Sequence, residues 1–297
     1  MTTERPKQLI KYASADAGLE ILRSQSLWWS SPNAYTSPFE MNGRCGIAFS
    51  SKELLNATVK LATTLIFQDE RPQGQTPLIS AINRWRDERR FNSPEEARVV
   101  LQDLLAKMVA QKEEQVHASL QKWQLFVESV RTCCFSAAAD ILGNWDKYAE
   151  QHQGIAVSIT PDSENGLDQM QAVKYTRVRP QLTTLKEQIN QLLYNEAVNP
   201  SQRFPKNLLT KPEHLSDERE WRALVPKNVS FRKTHDSNRD EKALTPGSIK
   251  AVYFGIACDE AKRRAIMAVG KALETPPKFF QMTLAKEQFK LEPVAVE

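Results

Sequence analysis

The sequence is poor in residues that form disulfides, ligate metals or cross membranes. It has four cysteines, two of them adjacent at Cys133 and Cys134, and four histidines, none at metal-ligand spacing from a cysteine. No apolar run reaches the length of a membrane-spanning helix, and the opening residues MTTERPKQLIKY contain no apolar stretch of signal-peptide length. These absences exclude a disulfide scaffold, a structural zinc site and a membrane span, and they predict a reduced, cytoplasmic protein.

Positive and negative charges are nearly balanced. Lys and Arg total 40 against 36 Asp and Glu, and the net charge of +4 over 297 residues is too dilute to indicate a nucleic-acid partner by itself. Apolar residues make up 41% and charged residues 26%, which is typical of a globular protein and excludes a disordered one. The chain is also long enough to bury a core without a metal or a disulfide.

Strand patterns occur near both ends of the sequence, around a long helical stretch. They lie at 9–13, 27–31, 46–50, 132–136, 155–160, 172–179, 220–225, 249–255 and 279–284. Residues 51–131 have helical patterns instead, and residues 195–215, with three prolines, are predicted to form an irregular loop. We therefore predict a single α+β domain over residues 1–297, with a mixed central sheet and a helical insertion at 51–131.

Two start signals define the helices of the insertion. Ser50 and Glu53 have the spacing of a capping box, and Ser93 precedes a proline with a glutamate three positions after the serine. No Gly or Pro follows between position 94 and Gly143. A continuous helix over 94–131 would be about 55 Å long at ~1.5 Å per residue. A helix of that length should protrude, break or pack on a partner, so we predict protein binding or self-association through it.

Charged and apolar residues alternate along one late segment. In a strand, Glu218, Glu220 and Arg222 would share one face, while positions 221, 223 and 225 are apolar. One interpretation is an edge strand whose charges resist aggregation. The other is a carboxylate pair at a cleft, in which one glutamate stabilises an oxocarbenium-like sugar cation and the other deprotonates an acceptor.

A second segment combines aromatic residues with a histidine. Trp145, Tyr148 and His152 fall on one face of a predicted helix, which either packs on the sheet or lets Tyr148 and His152 line a pocket. Cys133 or Cys134 could meet His152 as a nucleophile, although a buried cysteine is more often a small hydrophobe.

Two further clusters of aromatic residues have both a structural and a binding interpretation. Trp28 and Trp29 are adjacent, so on a strand only one can face the core. The other is either buried under the helical insertion or stacks on a planar ligand, with Phe39 on the following loop. The residues 84–90 contain four arginines around Trp85, which is typical of a solvated helix face. Nucleic-acid contact there is the weaker alternative.

In their order along the chain, these segments resemble an uncharacterised bacterial family, domain of unknown function 2971. The resemblance covers about 9–256 except the helical insertion. It is carried by Ile10-Lys11-Tyr12, by 27–33 with Ser37-Pro38-Phe39-Glu40, by Cys134-Phe135-Ser136, by Trp145, Tyr148-Ala149, His152, Gly154 and Ile159, by Val173-Lys174-Tyr175, by 217–222 and by 252–255. The sequence departs from the family pattern at Ser37, where an acidic residue is usual, and at Ala13-Ser14, where a basic residue is often found.

That family is distantly similar to the ADP-ribosyltransferase-like folds, and this analogy implies a function. It implies NAD as substrate, with Glu220 as the principal catalytic residue and Glu218 as its helper. The residues implied to bind the dinucleotide are Lys11, Tyr12, Trp29, Ser30, Ser31, Phe39, Tyr148, His152 and Arg222. Cleaving the bond between nicotinamide and ribose develops positive charge on the sugar, which a carboxylate stabilises. Such proteins are often bacterial toxins or antiphage defence components.

Two functions of other classes remain open from the sequence. A non-catalytic sensor or adaptor would use the helix 94–131 to bind a partner, with the sheet as scaffold. A metal-dependent nuclease would use Asp140, Asp217 and Glu218, although no lysine lies at the usual distance from paired acids in a strand.

Overall fold

The computed structural model describes residues 6–39, 46–227 and 231–297. Glu40 and Cys45 lie outside the described residues. The chain divides into a sheet unit, formed by Met1–Asn42, Val127–Arg179 and Leu208–Glu297, and a helical unit, formed by Gly43–Phe126 and Pro180–Asn207. The helical unit therefore contains a second stretch, 180–207, that follows the predicted insertion at 51–131 by about 50 residues.

Strands and helices are mixed along the chain, with α2, α3 and α4 in succession between β2 and β3. The strand predicted at 46–50 was wrong, since only an isolated bridge at Gly46 forms there. The strands are β1 (Leu9–Ala13), β2 (Ser26–Ser30), β3 (Val130–Ser136), β4 (Ile155–Ile159), β5 (Gln171–Ala172), β6 (Lys174–Thr176), β7 (Thr210–Pro212), β8 (Glu220–Pro226), β9 (Arg232–Lys233), β10 (Arg239–Ala243), β11 (Ile249–Phe254), β12 (Lys278–Leu284) and β13 (Leu291–Val296). The helices are α1 (Ala15–Ser24), α2 (Ser51–Phe67), α3 (Pro77–Asp87), α4 (Pro94–Ser129), α5 (Leu142–Tyr148), α6 (Leu185–Tyr194), α7 (Phe204–Leu208) and α8 (Glu260–Lys271).

The main sheet is mixed, which confirms the predicted α+β class. Its order is β13-β12-β11-β4-β1-β3-β2-β10-β9, and β8 pairs with β3 and with β5. β11 and β12 are parallel, and the other pairs are antiparallel. β6 and β7 form a separate parallel pair.

β3 pairs with β8 over most of its length and with β1 only at one end, which leaves a cavity between β1 and β3. β1 pairs along its whole length with β4, whereas its register with β3 joins Ile10 to Ser136. β3 pairs instead with β8 over seven positions, from Val130 with Pro226 to Ser136 with Glu220. The strands β1 and β3 therefore diverge after their first contact, and side chains from both face the space between them.

Residues predicted from the sequence begin several of the helices. The Ser50 hydroxyl and the Glu53 carboxylate form the capping box of α2. The Ser93 hydroxyl accepts a hydrogen bond from the Glu96 N–H at the start of α4. α4 then runs for 36 residues, about 54 Å at ~1.5 Å per residue, and ends at Ser129 because the next residue enters β3.

Alternation along two strands places the core of the sheet unit. On β2, Trp29 is fully buried while Trp28 is half exposed, so the expectation that only one of them faces the core is confirmed. On β8, Trp221, Ala223 and Val225 join the same buried cluster. Their neighbours Glu220 and Arg222 point to the opposite face, which carries the cavity.

The helical unit has its own core, built from α2, α3, α6 and the first turns of α4. Ile79, Ile82, Leu101, Leu105 and Leu193 are fully buried there. Arg86, from the predicted basic cluster, donates to the Leu65 and Ile66 carbonyls at the end of α2 and thereby satisfies them. None of the helices within the described residues is both long enough and apolar enough to span a bilayer.

Candidate active site

A partly open cavity of about 210 Å³ lies in the sheet unit between β1 and β3. It is lined by β1, β3, β8, α5, β7 and the turns around them. The lining residues are Ile10, Lys11, Tyr12, Tyr35, Cys134, Phe135, Ser136, Asn144, Tyr148, Lys211, Glu218, Glu220 and Arg222. Six of the eleven residues predicted for the site are among them: Lys11, Tyr12, Tyr148, Glu218, Glu220 and Arg222.

Glu220, the first residue of β8, is buried and held by two cations. Its Oε1 accepts a hydrogen bond from Arg222 Nε at 2.6 Å, and its Oε2 accepts from Lys211 Nζ at 2.9 Å. Burial alone would raise the pKa of this carboxyl, but the charges and hydrogen bonds of Arg222 and Lys211 outweigh it and lower the pKa to about 2. The carboxylate is therefore ionised throughout the physiological range.

Glu218 reaches the same wall from a 3₁₀ turn rather than from the strand, because β8 begins two residues later. Its Oε1 accepts from Lys147 Nζ at 2.8 Å, and its Oε2 accepts from the Tyr148 hydroxyl at 3.3 Å and from Lys211. Between the two glutamates, Arg219 has left-handed backbone (φ 45°), which lets both carboxylates face the cavity.

Lys211 was not predicted from the sequence. It lies on β7, inside the stretch 195–215 that was expected to be an irregular loop, and its side chain is almost completely buried. No periodicity or motif distinguishes it from the other lysines of the chain. Tyr175 pairs with Lys211 in the β6–β7 register and also contacts β8. Its hydroxyl accepts a hydrogen bond from the Glu220 N–H at 2.8 Å.

Lys11 brings a further positive charge to the cavity. Its Nζ donates to the Cys134 carbonyl at 3.0 Å and lies 5.4 Å from the centroid of the Phe135 ring. It forms no ion pair within the part of the chain that the structure describes. With Lys211 and Arg222 it gives the lining three cations against two carboxylates, so the cavity favours a ligand with an anionic part.

Tyrosine hydroxyls and a thiol complete the lining in their neutral forms. The Tyr12 hydroxyl donates to the Ala138 carbonyl at 2.8 Å, and the Tyr35 hydroxyl lies 3.3 Å from Cys134 Sγ. Burial raises the pKa of both hydroxyls. Burial also raises the pKa of the Cys134 thiol to about 12, helped by the nearby Glu220 charge. The thiolate needed of a cysteine nucleophile is thus disfavoured at neutral pH.

The other five predicted residues lie outside the lining of this cavity. Trp29 is buried in the sheet core and packs edge-on against Phe231. Ser30 ends β2, and the Ser31 hydroxyl accepts from the Asn33 N–H. Phe39 is exposed on the loop after β2.

His152 forms an aromatic stack instead of lining the cavity. Its ring lies parallel to Trp145 at 6.2 Å, and its Nε2 is 3.0 Å from an Asp146 carboxylate oxygen. Trp145 in turn packs edge-on against Tyr12, which does line the cavity. His152 therefore supports the wall from behind. Within the described residues, no group of His, Cys, Asp and Glu side chains is arranged to hold a metal ion.

Comparison with known proteins identifies no relative. The chain matches no family model, and no curated protein or solved structure is significantly similar to it. The resemblance to domain of unknown function 2971 and to the ADP-ribosyltransferase-like folds therefore remains a prediction from the motifs alone.

Proposed function

We propose that this chain cleaves the N-glycosidic bond of NAD, with Glu220 as the principal catalytic residue and Glu218 as its helper. The observation that carries the proposal is the Glu220 carboxylate, buried and ionised in the wall of a cavity lined by aromatic rings. A fixed negative charge in a water-poor site stabilises a developing cation far better than the same charge in solvent.

The proposed step assigns a role to each group. The bond between ribose C1′ and the nicotinamide nitrogen breaks, and its electron pair leaves with the nicotinamide. The positive charge that develops on the ribose is stabilised by Glu220. An acceptor hydroxyl, from water or from another molecule, then bonds to C1′, and Glu218 takes the proton that it loses. The products are nicotinamide and ADP-ribose, free or transferred.

The cavity suits one end of the dinucleotide. Its volume of about 210 Å³ is below the ~300–1,000 Å³ of pockets that enclose a drug-sized ligand, so the adenosine end would lie outside it. The rings of Tyr12, Tyr35, Phe135 and Tyr148 offer flat surfaces to a nicotinamide. Lys11, which has no carboxylate partner among the described residues, would attract the diphosphate.

Nicotinamide release from NAD by the purified protein tests this function. We expect release by the wild type and a loss of at least 100-fold in the Glu220→Asp variant, which keeps the charge but withdraws it from the sugar. Rates are compared per folded molecule, with folding checked by circular dichroism. Glu213→Gln, which removes an exposed carboxylate 51% accessible to solvent, is the matched control. Equal rates in Glu220→Asp and Glu213→Gln would refute the proposal.

Binding of a partner protein by α4 is a second candidate function. Near its start the helix exposes the adjacent residues Val99 and Val100 and, one turn further on, Leu104; exposed apolar groups of this kind are common at protein interfaces. Replacing the three residues by glutamate should abolish a pull-down interaction without changing nicotinamide release. A partner that still binds the triple variant would exclude this surface.

A further inference from the structure

Lys211 links the two-stranded sheet of β6 and β7 to the carboxylates of Glu218 and Glu220, which are called the carboxylate pair here. It lies on β7, which pairs only with β6 in the described part of the chain, and the pairing sets Lys211 beside Tyr175. The Lys211 ammonium contacts Glu220 Oε2 at 2.9 Å and also donates to Glu218. By contrast, Lys147 contacts Glu218 and Arg222 contacts Glu220. Lys211 thus bridges the two carboxylates.

Two carboxylates so close to one nitrogen lie close to each other, and repulsion would drive a proton onto one of them. The bridging ammonium offsets that repulsion. Other titratable or charged groups face the pair from the surrounding elements. They are Lys11 on β1, Tyr35 after β2, Cys134 on β3, Lys147 and Tyr148 on α5, Tyr175 on β6 and Arg222 on β8.

We propose that Lys211 is a positioning residue of this site: its ammonium bridges the carboxylates of Glu218 and Glu220 and keeps them adjacent, with Glu220 charged, in one wall of the cavity. This inference rests on the proposed glycosidic cleavage, which needs a charged carboxylate opposite the sugar. Lys211 acts through the two glutamates. Its own charge is secure, because the surrounding carboxylates outweigh the effect of burial and raise the pKa of its ammonium.

Removing the ammonium should therefore change the protonation of the pair. In Lys211→Met, which keeps the length of the side chain, the Glu220 carboxyl loses one of the two cations that lower its pKa, and it is expected to take up a proton at a higher pH than in the wild type. On the acidic side of the pH profile, where the rate of nicotinamide release falls with pH, the fall (the acid limb) should move to higher pH by at least one unit. At a fixed pH on this limb, that shift is a tenfold loss of rate. Lys211→Arg restores the charge and should return the limb toward its wild-type position.

The experiment combines two readouts. The pH profile of nicotinamide release is measured for the wild type, Lys211→Met, Lys211→Arg and Lys174→Met. Lys174 is exposed on β6, beside Tyr175, and its replacement should leave the profile unchanged. In parallel, proteins with ¹³C-labelled glutamate carboxyls are titrated by NMR between pH 3 and pH 8, with glutamate-to-glutamine variants to assign the signals of the pair.

The outcomes separate this inference from the proposed function. If the wild type releases no nicotinamide, the proposed function fails. The role of Lys211 is then decided by NMR, according to whether the Glu220 carboxyl titrates at a higher pH in Lys211→Met than in the wild type. An acid limb in Lys211→Met that coincides with the wild type would overturn the inference alone. If Lys211→Met does not fold, Lys211→Arg takes its place: a pH profile and a Glu220 titration like those of the wild type support the role of the positive charge, and a proton on Glu220 at pH 7 in the wild type contradicts it.

Discussion

Glu220 contributes to stability as well as to the proposed chemistry, and the isosteric change Glu220→Gln separates the two. The side chain is 8% exposed, and its charge compensates the buried cations Arg222 and Lys211, which are 1% and 2% exposed. The amide has the same shape but no charge. We therefore expect Glu220→Gln to lower the free energy of unfolding, because it leaves buried positive charge less well compensated.

The magnitude follows from the pKa of Glu220, which is lowered from 4.5 to about 2. A difference of this size is worth about 3 kcal/mol of stability at pH 7, at about 1.4 kcal/mol per unit. Because the folded pKa is the lower one, the unfolded chain binds more protons between pH 4.5 and pH 2. The contribution is therefore complete above pH 4.5 and falls with pH through this window, to about 1 kcal/mol at pH 3.

Urea denaturation at pH 7 and at pH 3, with wild type and variant side by side, measures this difference. The destabilisation by Glu220→Gln should be two to three times larger at pH 7 than at pH 3. Glu213→Gln is again the control, since its exposed ion pair with Arg177 is worth at most about 1 kcal/mol. A destabilisation that is equal at the two pH values would refute the assigned charge compensation.

Three other substitutions test how the sheet unit is built. Asp240→Asn should cost about 3–5 kcal/mol in urea unfolding, because it leaves the buried guanidinium of Arg131, now 2.6 Å from the carboxylate, without its counter-charge. Gly255→Ala should prevent folding or lower the melting temperature strongly, since the added Cβ would lie 2.0 Å from the His152 carbonyl oxygen. Trp29→Ala should cost about 3–5 kcal/mol while leaving nicotinamide release per folded molecule unchanged, because Trp29 belongs to the core.

Each of these substitutions has a matched control in the same unit. Gly143→Ala, in α5, meets no atom within 4 Å and should stabilise the protein by up to about 1 kcal/mol. Trp28→Ala removes the half-exposed neighbour of Trp29 and should lower the free energy of unfolding by less than Trp29→Ala does. Arg239→Met removes an exposed arginine of β10 and should have little effect on unfolding. Equal losses in a substitution and its control would contradict the burial assigned to that position.

Periodicity was sufficient to predict the parts of the fold that depend on local pattern. The alternation on β8 correctly separated Glu220 and Arg222 from the buried Trp221, and the capping residues Ser50 and Ser93 marked the helix starts. These features follow from side-chain direction and from backbone hydrogen bonding, which are properties of short segments.

The rest of the site depends on tertiary contacts that short segments do not encode. Lys211 lies in a proline-containing stretch without periodicity, and only the folded chain brings it to Glu218 and Glu220. Trp29 was expected at a ligand only through the family analogy. The adjacency of Trp28 and Trp29 indicated that one of them faces the core but not which one, and Trp29 proved to be the core residue, outside the lining of the cavity.

A crystal structure with a non-hydrolysable NAD analogue tests the central claim most directly. We expect density for the nicotinamide and its ribose in the cavity between β1 and β3, with a ribose hydroxyl within hydrogen-bond distance of Glu220 and the diphosphate toward Lys11. Density for the analogue at another place on the protein, with only solvent in this cavity, would contradict the assignment.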